Sequence, residues 1–259
     1  MIDPFHLAAY GATTVNYNRD VEIFPVLSAM FEKIMGECPY KSPTDMGVNM
    51  VGNCIVDDEA VQAAARQEIL RRYYTALCDR RIGVADHELV YKLETIMQQA
   101  KVDLSIRPVV DAAARVAEET GNPAGAIELP SGEVVTGKTT DLMGASSSTL
   151  LNALKSLAGI DHIHHLISRE ALEPIQQVKV HHLGSVNPRL HSDEVLIALA
   201  ISATTNPLAK RALDQLSALR GCEAHSSVIL SPVDSGLYSR LGLRLTCEPQ
   251  YETNKLYHK

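Results

Sequence analysis

The stretch GEVVTGKT, residues 132–139, fits the pattern G-x-x-x-x-G-K-[ST] that holds phosphate in nucleotide-binding loops. Such a loop needs small, flexible residues between its glycines and a helix that begins directly after the lysine, so that backbone N–H groups converge on the anion. Val134 and Val135 occupy the part that must curl, although β-branched residues favour extended backbone. Residues 139–144 separate Lys138 from the next helix start. The stretch therefore predicts a β-strand rather than a nucleotide site.

The residues before this stretch complete a β-hairpin that we predict at residues 126–136. Apolar and polar residues alternate there, and the Pro-Ser-Gly sequence at 130–132 is typical of turns. A phosphate loop would instead predict ATP binding that is lost in Lys138→Ala. In a further alternative, the stretch forms the hairpin and an anion binds at the serine-rich helix start at residues 146–148, with Lys138 nearby.

Apolar residues recur at helical spacing before the hairpin, which predicts a mainly helical part over residues 1–122. After the hairpin, helical segments are followed by two apolar stretches, HSSVILS and LRLTC, which we predict to be carboxy-terminal strands. We therefore expect an α+β or α/β fold, in which the helical part packs on a mixed α/β part, residues 123–259, with a small sheet. Helices are predicted at residues 22–36, 58–77, 87–100, 107–121, 146–158, 169–181, 193–205 and 207–219.

The net charge of −7 argues against binding to nucleic acid or to an anionic membrane surface, since both require a basic surface. The first residues lack a cationic start followed by an apolar core, and no run of about 18 apolar residues occurs that could cross a membrane. We therefore expect a cytoplasmic protein without nucleic-acid or membrane partners.

The five cysteines are widely spaced and form no C-x-x-C motif, which argues against a disulfide framework or a thiolate zinc site. Buried free thiols in a reducing compartment are the favoured interpretation, and a nucleophilic Cys222 near His225 is the alternative. His225 and Glu223 share one face of a predicted strand. We interpret His225 as a structural histidine, with an acid–base role oriented by Glu223 as the alternative.

The densest group of polar side chains lies in the sequence HHLGSVNPRLHSDEV, residues 181–195. Glycine and proline mark a loop before an apolar helix, and loop side chains of this kind are often placed for ligands. We predict that His191, His182 and Asp193 are catalytic and that Asn187 and Arg189 bind a ligand. The structural alternative, in which acidic residues stabilise the positive end of the following helix, explains the acids alone.

The same loop also raises the question of a metal. Imidazole and carboxylate groups of His182, His191, Asp193 and Glu194 are suitable ligands for Zn, Mn or Fe. Their spacing matches no closed metal motif, and HEXXH is absent. We therefore predict no metal site, and the sequence leaves any cofactor unknown.

A second polar group lies near the beginning of the chain. Its loop YKSPTDMGVN combines proline, glycine, hydroxyl and amide groups that could hold a phosphate or carboxylate, with a lysine or arginine as the counter-charge. Ordinary turn and cap chemistry is the alternative. The ligand-binding residues that we predict here are Arg19, Lys41, Thr44, Asp45 and Asn49.

Several passages resemble one uncharacterised bacterial family known by a domain-of-unknown-function label. They are MIDPFHL, TTVNYNRDVEIFPVL, CPYKSPTDMGVNM, VTGKTTDLMGASS, LGSVNPRLHSDEVLIALAISATTNP, GCEAHSSVILS and LTCEP. The chain resembles the carboxy-terminal half of that family, whose full-length members carry an additional amino-terminal half with a glycine-rich stretch more like a phosphate loop. The resemblance implies an intracellular protein that self-associates, and either a separately encoded or truncated half or a partner that supplies the remainder.

Together these observations predict that the two polar loops, near residues 41–49 and 187–194, face one cleft for an anionic small molecule. The ligand would carry a phosphate or carboxylate group, and the reaction would be phosphoryl transfer or hydrolysis. The alternative is a structural or oligomerisation domain without catalysis of its own, so the sequence leaves open whether the protein is an enzyme. We expect a homo-oligomer in either case.

Overall fold

The computed structural model describes residues 20–39, 58–85 and 87–252. Contacts between Cα atoms divide the chain into two compact units, residues 1–107 and 108–259. The composition of the sequence had suggested a boundary after residue 122. The division at residue 107 assigns the helix that begins at Pro108 to the second unit.

The described secondary-structure elements of the first unit are all helical. Helix α1 (Asp20–Met35) is followed by Gly36 in the left-handed region, with φ of +86°. Helices α2 (Asp58–Ile82) and α3 (His87–Gln99) pack around buried apolar side chains such as Leu70, Val90 and Leu93. A 3₁₀ turn (Leu104–Ile106) follows α3.

The second unit combines a small sheet with helices. Its described elements, in chain order, are α4 (Pro108–Thr120), β1 (Ala124–Glu128), β2 (Val134–Lys138), α5 (Ala145–Leu157), α6 (Arg169–Gln177), a π-helical turn (Val178–His182), α7 (Ser192–Ser202), α8 (Pro207–Leu213), a 3₁₀ turn (Leu216–Leu219), β3 (Glu223–Ser226), α9 (Pro232–Arg240) and β4 (Arg244–Cys247). The predicted α+β or α/β class is confirmed.

The sheet has four strands in the order β2-β1-β3-β4. Strand β1 pairs antiparallel with β2 and with β3, whereas β3 and β4 are parallel and are connected through α9. The β1–β2 pair is the hairpin predicted at residues 126–136. Antiparallel neighbours need only a tight turn, while the parallel pair requires a crossover, which α9 supplies.

Helices cover both faces of this sheet. Successive strand residues point to opposite faces. A Cβ on Gly125 would approach the side chain of Thr149 in α5, whereas the next residue, Ala126, clusters with Val109 and Ala113 of α4. The α5 face carries the larger core, which includes Ile127, and this core holds the second unit together.

The stretch GEVVTGKT is a strand and not a phosphate loop, as predicted. Strand β2 includes Gly137 and ends at Lys138. The glycine is required by packing, because a Cβ on Gly137 would lie 2.3 Å from the backbone nitrogen of Thr149 in α5. Gly132 has φ of +83° in the hairpin turn. Both glycines of the pattern are thus explained by the hairpin and by its contact with α5.

Three predicted elements differ from the structure. The helix predicted at residues 207–219 ends at Leu213, and a separate 3₁₀ turn follows at Leu216–Leu219. The strand predicted over HSSVILS is instead Glu223–Ser226. Its antiparallel partner, β1, begins at Ala124, and the carbonyl of Ala124 accepts the last hydrogen bond between the two, from the N–H of Ser227. Residues beyond Ser227 therefore have no residue of β1 to pair with. The helix predicted at residues 169–181 changes from α to π geometry at Val178. This widening closes with a bond from the N–H of Leu183 to the carbonyl of Val178.

Candidate functional site

The loop before α7 is attached to the start of α5 through backbone contacts. Leu190 forms a parallel bridge with Met143, and its N–H donates to the carbonyl of Leu142 at 2.8 Å. The hydroxyl of Ser147 donates to the carbonyl of Leu190 at 3.1 Å. These contacts bring the polar loop of residues 183–191 beside the first turn of α5.

His191 and Asp234 form a close pair at the centre of this region. Nδ1 of His191 lies 2.9 Å from Oδ2 of Asp234. Asp234 lies in the first turn of α9, where its N–H donates to the hydroxyl of the N-cap residue Ser231. Its other oxygen accepts bonds from the N–H and the hydroxyl of Ser192 at 2.8 and 2.7 Å. One carboxylate therefore serves two helix starts and fixes the imidazole.

Burial and hydrogen bonding set the ionisation of this pair. Burial alone would raise the pKa of Asp234, but the hydrogen bonds from His191 and from the backbone of Ser192 outweigh it and lower the pKa to about 2. The hydrogen bond to Asp234 raises the pKa of His191, and partial burial opposes that shift. The pair therefore favours a carboxylate next to an imidazolium.

A small cleft borders the pair. The cleft is partly open, and its volume is about 50 Å³. Because one water molecule needs roughly 10–15 Å³, the volume is on the scale of a phosphate or carboxylate group. The first turn of α5 reaches the cleft, and the N-cap residue of that helix is Gly144, which has no side chain to satisfy the first N–H groups. Lining residues are Thr139, Gly144, Ala145, Ser146, Asn187, Arg189, Leu190, His191, Val228, Ile229, Leu230, Ser231, Asp234 and Glu252.

Thr139 is one of the lining residues, and its hydroxyl has no hydrogen-bond partner in the described part of the chain. The residue is only 4% exposed, and its Oγ1 atom is buried. A buried hydroxyl without a hydrogen bond costs free energy, and such exceptions often occur at functional sites. Thr139 is the last residue of GEVVTGKT and directly follows β2. The motif therefore contributes to the cleft through its threonine.

Two cations near the cleft have acidic partners, and one of them, Arg189, is a predicted ligand-binding residue. The guanidinium of Arg189 pairs with the carboxylate of Glu252, and the backbone N–H of Arg189 donates to Oδ1 of Asn187 at 3.1 Å. Lys179 is buried, and its ammonium binds Glu194 at 2.7 Å. Arg189 and Asn187 line the cleft, as the ligand prediction requires, but the positive charge of Arg189 is already balanced.

The remaining residues predicted in this loop lie apart from the His191–Asp234 pair. His182 is exposed at the end of the π-helical turn. Asp193 accepts a bond from the N–H of Glu194 within the first turn of α7. Neither contacts His191 among the described hydrogen bonds and ion pairs, so the helix-start explanation of Asp193 has direct support.

The ligand residues predicted near the beginning of the chain lie outside the described residues. The shared cleft between the two polar loops therefore stays a prediction. The residues concerned are Arg19, Lys41, Thr44, Asp45 and Asn49. Across the described ranges 20–39, 58–85 and 87–252, no group of three His, Cys, Asp or Glu side chains is arranged to hold a metal ion.

The side chains of Glu223 and His225 contact other residues and not each other in the described hydrogen bonds and ion pairs. Glu223 pairs with Arg244, while His225 lies 2.8 Å from the hydroxyl of Thr246 and 3.4 Å from Glu248. Cys222 is buried, and burial raises the pKa of its thiol. A protonated, buried thiol is a poor nucleophile, which argues against the catalytic alternative for Cys222.

The sequence did not identify Asp234, Ser231 and Thr139 as site residues. The SPVD sequence at 231–234 is a helix-start signal of the type [ST]-x-x-[DE]. It therefore locates Asp234 in a first turn, but it does not indicate the imidazole that the carboxylate meets. The unpartnered hydroxyl of Thr139 follows from tertiary packing and has no sequence signal.

Comparison with known proteins places the chain in a family. Residues 105–257 match the family model described as domain of unknown function DUF1846, C-terminal, and residues 1–101 match the N-terminal model of the same family. The chain belongs to the DUF1846 family. The interpretation of the chain as the carboxy-terminal half alone is not supported, because the match extends into the amino-terminal domain model.

Several bacterial relatives are identical to the chain at about half of the aligned positions. The chain is 55% identical to UPF0371 protein DIP2346 of Corynebacterium diphtheriae, 53% identical to UPF0371 protein stu1377 of Streptococcus thermophilus and 52% identical to a UPF0371 protein of Streptococcus pneumoniae. Each match covers 100% of this chain and 52% of the relative. The chain therefore spans about half the length of the curated relatives that it matches.

None of the described helices combines the length and the apolar character that crossing a membrane requires.

Proposed function

We propose that this chain binds a small anionic molecule, bearing a phosphate or carboxylate group, in the cleft at the start of α5, and that His191 transfers a proton during its hydrolysis or phosphoryl transfer. The observation that carries the proposal is the buried carboxylate of Asp234 beside Nδ1 of His191, in the same cleft as the unpartnered hydroxyl of Thr139. The proposal gives each of these groups a role.

The first turn of α5 supports the binding of an anion. The N-terminus of a helix carries a partial positive charge and free N–H groups. Gly144 provides no capping side chain, and the hydroxyl of Thr139 adds a donor. The raised pKa of His191 adds a positive charge that compensates for the nearby carboxylate. An anionic group in the cleft would interact with the helix N-terminus, the Thr139 hydroxyl and the His191 imidazolium.

The orientation of the imidazole supports proton transfer by His191. Asp234 occupies Nδ1, so Nε2 is the nitrogen left to meet a substrate. Ser231 lies on the same side of the ring, 3.3 Å from Nδ1, and donates to Asp234 at 2.7 Å. A serine nucleophile requires its hydroxyl at the opposite nitrogen. The arrangement therefore favours an acid–base pair over a serine-based relay.

A titration of the full chain with inorganic phosphate, followed by amide NMR, tests the binding step. We expect phosphate to shift the amide signals of residues 145–147. Thr139→Val should weaken binding by about 10-fold or more, since a hydrogen bond to a charged group is worth roughly 1.5–3 kcal/mol. Thr205→Val, an exposed threonine in the same unit, is the matched control and should bind as the wild type does. Equal binding by Thr139→Val would contradict the proposal.

Turnover of small phosphate and carboxylate esters tests the chemical step. General acid–base catalysis contributes about 10²–10⁴-fold, so His191→Gln should reduce kcat by that factor with a smaller change in KM. The pH profile of the wild type should show one ionisation that disappears in the variant. A profile unchanged in His191→Gln would exclude the proposed role.

The alternative, a structural or oligomerisation domain, has one specific observation in its favour. Ile197 and Ile201 are four residues apart on one face of α7, and they are 61% and 64% exposed. A second copy of the chain is the occupant that we would expect there. Sedimentation of the full chain and of the Ile197→Glu, Ile201→Glu double variant tests this, because the variant should dissociate if the face is an interface.

A further inference from the structure

A second cavity lies along α5, between Ser148 and Lys155. Its volume is about 250 Å³, close to the lower end of small-molecule sites at roughly 300 Å³. Residues of β2, α5 and α6, of the segment between β2 and α5, and of the segment 164–167 line it. The lining residues are Lys138, Thr140, Met143, Ser148, Leu151, Asn152, Lys155, His164, His165, Leu166, Ile167 and Leu172.

The ionisable side chains of this cavity are all basic. They are Lys138, Lys155, His164 and His165, and none of the lining residues is an aspartate or glutamate. This contrasts with the first cleft, where Asp234 and Glu252 balance the basic groups. A concave surface with one sign of charge attracts ligands of the opposite sign.

Lys155 is the most informative of these residues, because it is only 7% exposed. Its ammonium donates to the carbonyl of His162 at 2.9 Å, and its other two N–H groups have no acceptor among the described residues. Burial lowers the pKa of Lys155, and the carboxylate of Asp161 partly offsets that effect. A buried ammonium of this kind is stabilised by an anion that accepts its remaining hydrogen bonds.

Polar groups of α5 extend the same side of the cavity. The Oγ atom of Ser148 is buried and has no hydrogen-bond partner in the described chain. Lys138 is exposed at the end of β2 and reaches the cavity mouth. An anion between Lys138 and Lys155 could accept bonds from both ammonium groups and from the Ser148 hydroxyl.

The other lining residues include a group of apolar side chains. Leu166, Ile167 and Leu172 are buried, and Met143 and Leu151 pack against the same core. An inorganic ion would leave these side chains facing water, whereas a ligand with a short hydrocarbon body would cover them. The cavity thus combines basic and apolar side chains in its lining.

We propose that this cavity is a second ligand site, which binds an organic anion with a carboxylate or phosphate head group and a compact apolar body. The head group lies between Lys138 and Lys155, and the body lies against Leu166, Ile167 and Leu172. The lysine of GEVVTGKT then contributes to anion binding from a strand end and not from a phosphate loop. This inference does not rest on the proposed function of the His191 cleft.

Calorimetric titration of the full chain tests the proposal with four probes: hexanoate, hexyl phosphate, hexan-1-ol and inorganic phosphate. We expect at least one of the two hexyl anions to bind more than 10-fold more tightly than hexan-1-ol, which lacks the charge. The same anion should bind more than 10-fold more tightly than inorganic phosphate, which lacks the apolar body. Comparing hexanoate with hexyl phosphate identifies the head group.

Variants locate the binding. Lys138→Met should weaken binding of the preferred anion at least 10-fold, and Lys138 is exposed, so circular dichroism should show an unchanged fold. Lys210→Met, which removes another exposed lysine of the second unit, is the matched control. Binding that Lys138→Met weakens and Lys210→Met leaves unchanged is thereby assigned to this cavity. Absence of binding by both hexyl anions, equal binding of hexan-1-ol, or unaltered binding by Lys138→Met would overturn the proposal.

Discussion

At the scale of single residues, Asp234 connects more of the candidate site than any other described side chain. Its carboxylate accepts bonds from His191, from Ser192 and from Ser231, which belong to the starts of α7 and α9. A buried carboxylate is stable only when hydrogen bonds replace its water. The charge of Asp234 and the position of the His191 imidazole therefore depend on each other.

This dependence predicts how Asp234→Asn changes stability with pH. The pKa of Asp234 is lowered from 3.8 to about 2, so its contribution is present above pH 3.8 and is lost as the pH falls through about 2. The pKa of His191 is raised from 6.5, so its contribution is present below pH 6.5 and is lost as the pH rises through the folded value. Asp234→Asn should therefore lower the free energy of unfolding by about 2 kcal/mol near pH 5.5, and by less at pH 9.

Urea denaturation at pH 5.5 and at pH 9 measures this difference. Asp214→Asn is the control, because Asp214 forms an exposed pair with Lys210 that should be worth less than about 1 kcal/mol at either pH. Losses of equal size at both pH values in Asp234→Asn would mean that the carboxylate is not coupled to the imidazole.

Thr139 yields a second prediction at this scale, on stability instead of binding. Its buried hydroxyl has no hydrogen-bond partner in the described chain, so Thr139→Val removes a polar group without removing a bond. We expect the ligand-free protein to become more stable by about 1 kcal/mol. Thr149→Val is the contrasting variant. The hydroxyl of Thr149 donates to the carbonyl of Ala145 at 2.7 Å, so its removal should lower the stability of the protein. Thermal denaturation of both variants measures these changes, and a Thr139→Val protein less stable than the wild type would mean that the Thr139 hydroxyl stabilises the fold.

The sequence identified some of these residues and not others for physical reasons. His191 and Arg189 belong to a dense local cluster, which a reading along the chain detects. Asp234 follows His191 by 43 residues and meets it only because α7 and α9 pack together. The pairing of Arg189 with Glu252 spans 63 residues. Local patterns therefore predict which residues are polar, whereas tertiary contacts decide which charges remain available.

At the scale of elements, the contact of β2 with α5 depends on the absence of a side chain at Gly137. A Cβ there would lie 2.3 Å from the backbone nitrogen of Thr149, and backbone cannot rotate away as a side chain can. We expect Gly137→Ala to destabilise the protein by about 3 kcal/mol or more, since overpacking of a close contact displaces whole elements. The melting temperature and the urea midpoint measure the loss.

Gly236→Ala is the matched control for this substitution. Gly236 lies inside α9, and the nearest atom to an added Cβ is the end of the Arg240 side chain at 4.0 Å. Alanine is favoured over glycine inside a helix by roughly 0.5–1 kcal/mol. We therefore expect Gly236→Ala to be neutral or stabilising. A small effect of Gly137→Ala would mean that α5 and β2 can separate without loss of the core.

The sequence predicted helices and strands correctly where their signals lie in neighbouring residues. The hairpin follows from β-branched residues beside a Pro-Ser-Gly turn, and α1 from helical spacing that ends at Gly36. The end of β3 at Ser226 was not predictable, because a strand ends where its partner ends, and that partner lies about a hundred residues earlier. The π-helical turn at Val178 likewise has no signal in residue spacing.

At the scale of the whole molecule, the described residues form an apolar core in each of the two units. The core of the first unit lies within residues 65–106, and the larger core of the second unit lies within residues 127–245. Helix α4 resembles the helices before it in composition, which is why the sequence suggested a boundary after residue 122. Its buried Val109 and Ala113, however, cluster with Ala126 of β1. An amphipathic pattern predicts that a helix has a buried face, but not which core that face joins.

Two fragments with different starts test this boundary. We expect residues 108–259 to fold alone and to unfold cooperatively, since the sheet keeps a helix on each face. Residues 123–259 lack α4 and expose the Ala126 face of the sheet, where burial of valine side chains such as Val109 and Val110 is worth about 1.5–3 kcal/mol each. That fragment should be less stable by about 3 kcal/mol or more, or should aggregate through the exposed face. Circular dichroism and urea denaturation compare the two, and equal stability would instead support the boundary that the composition suggested.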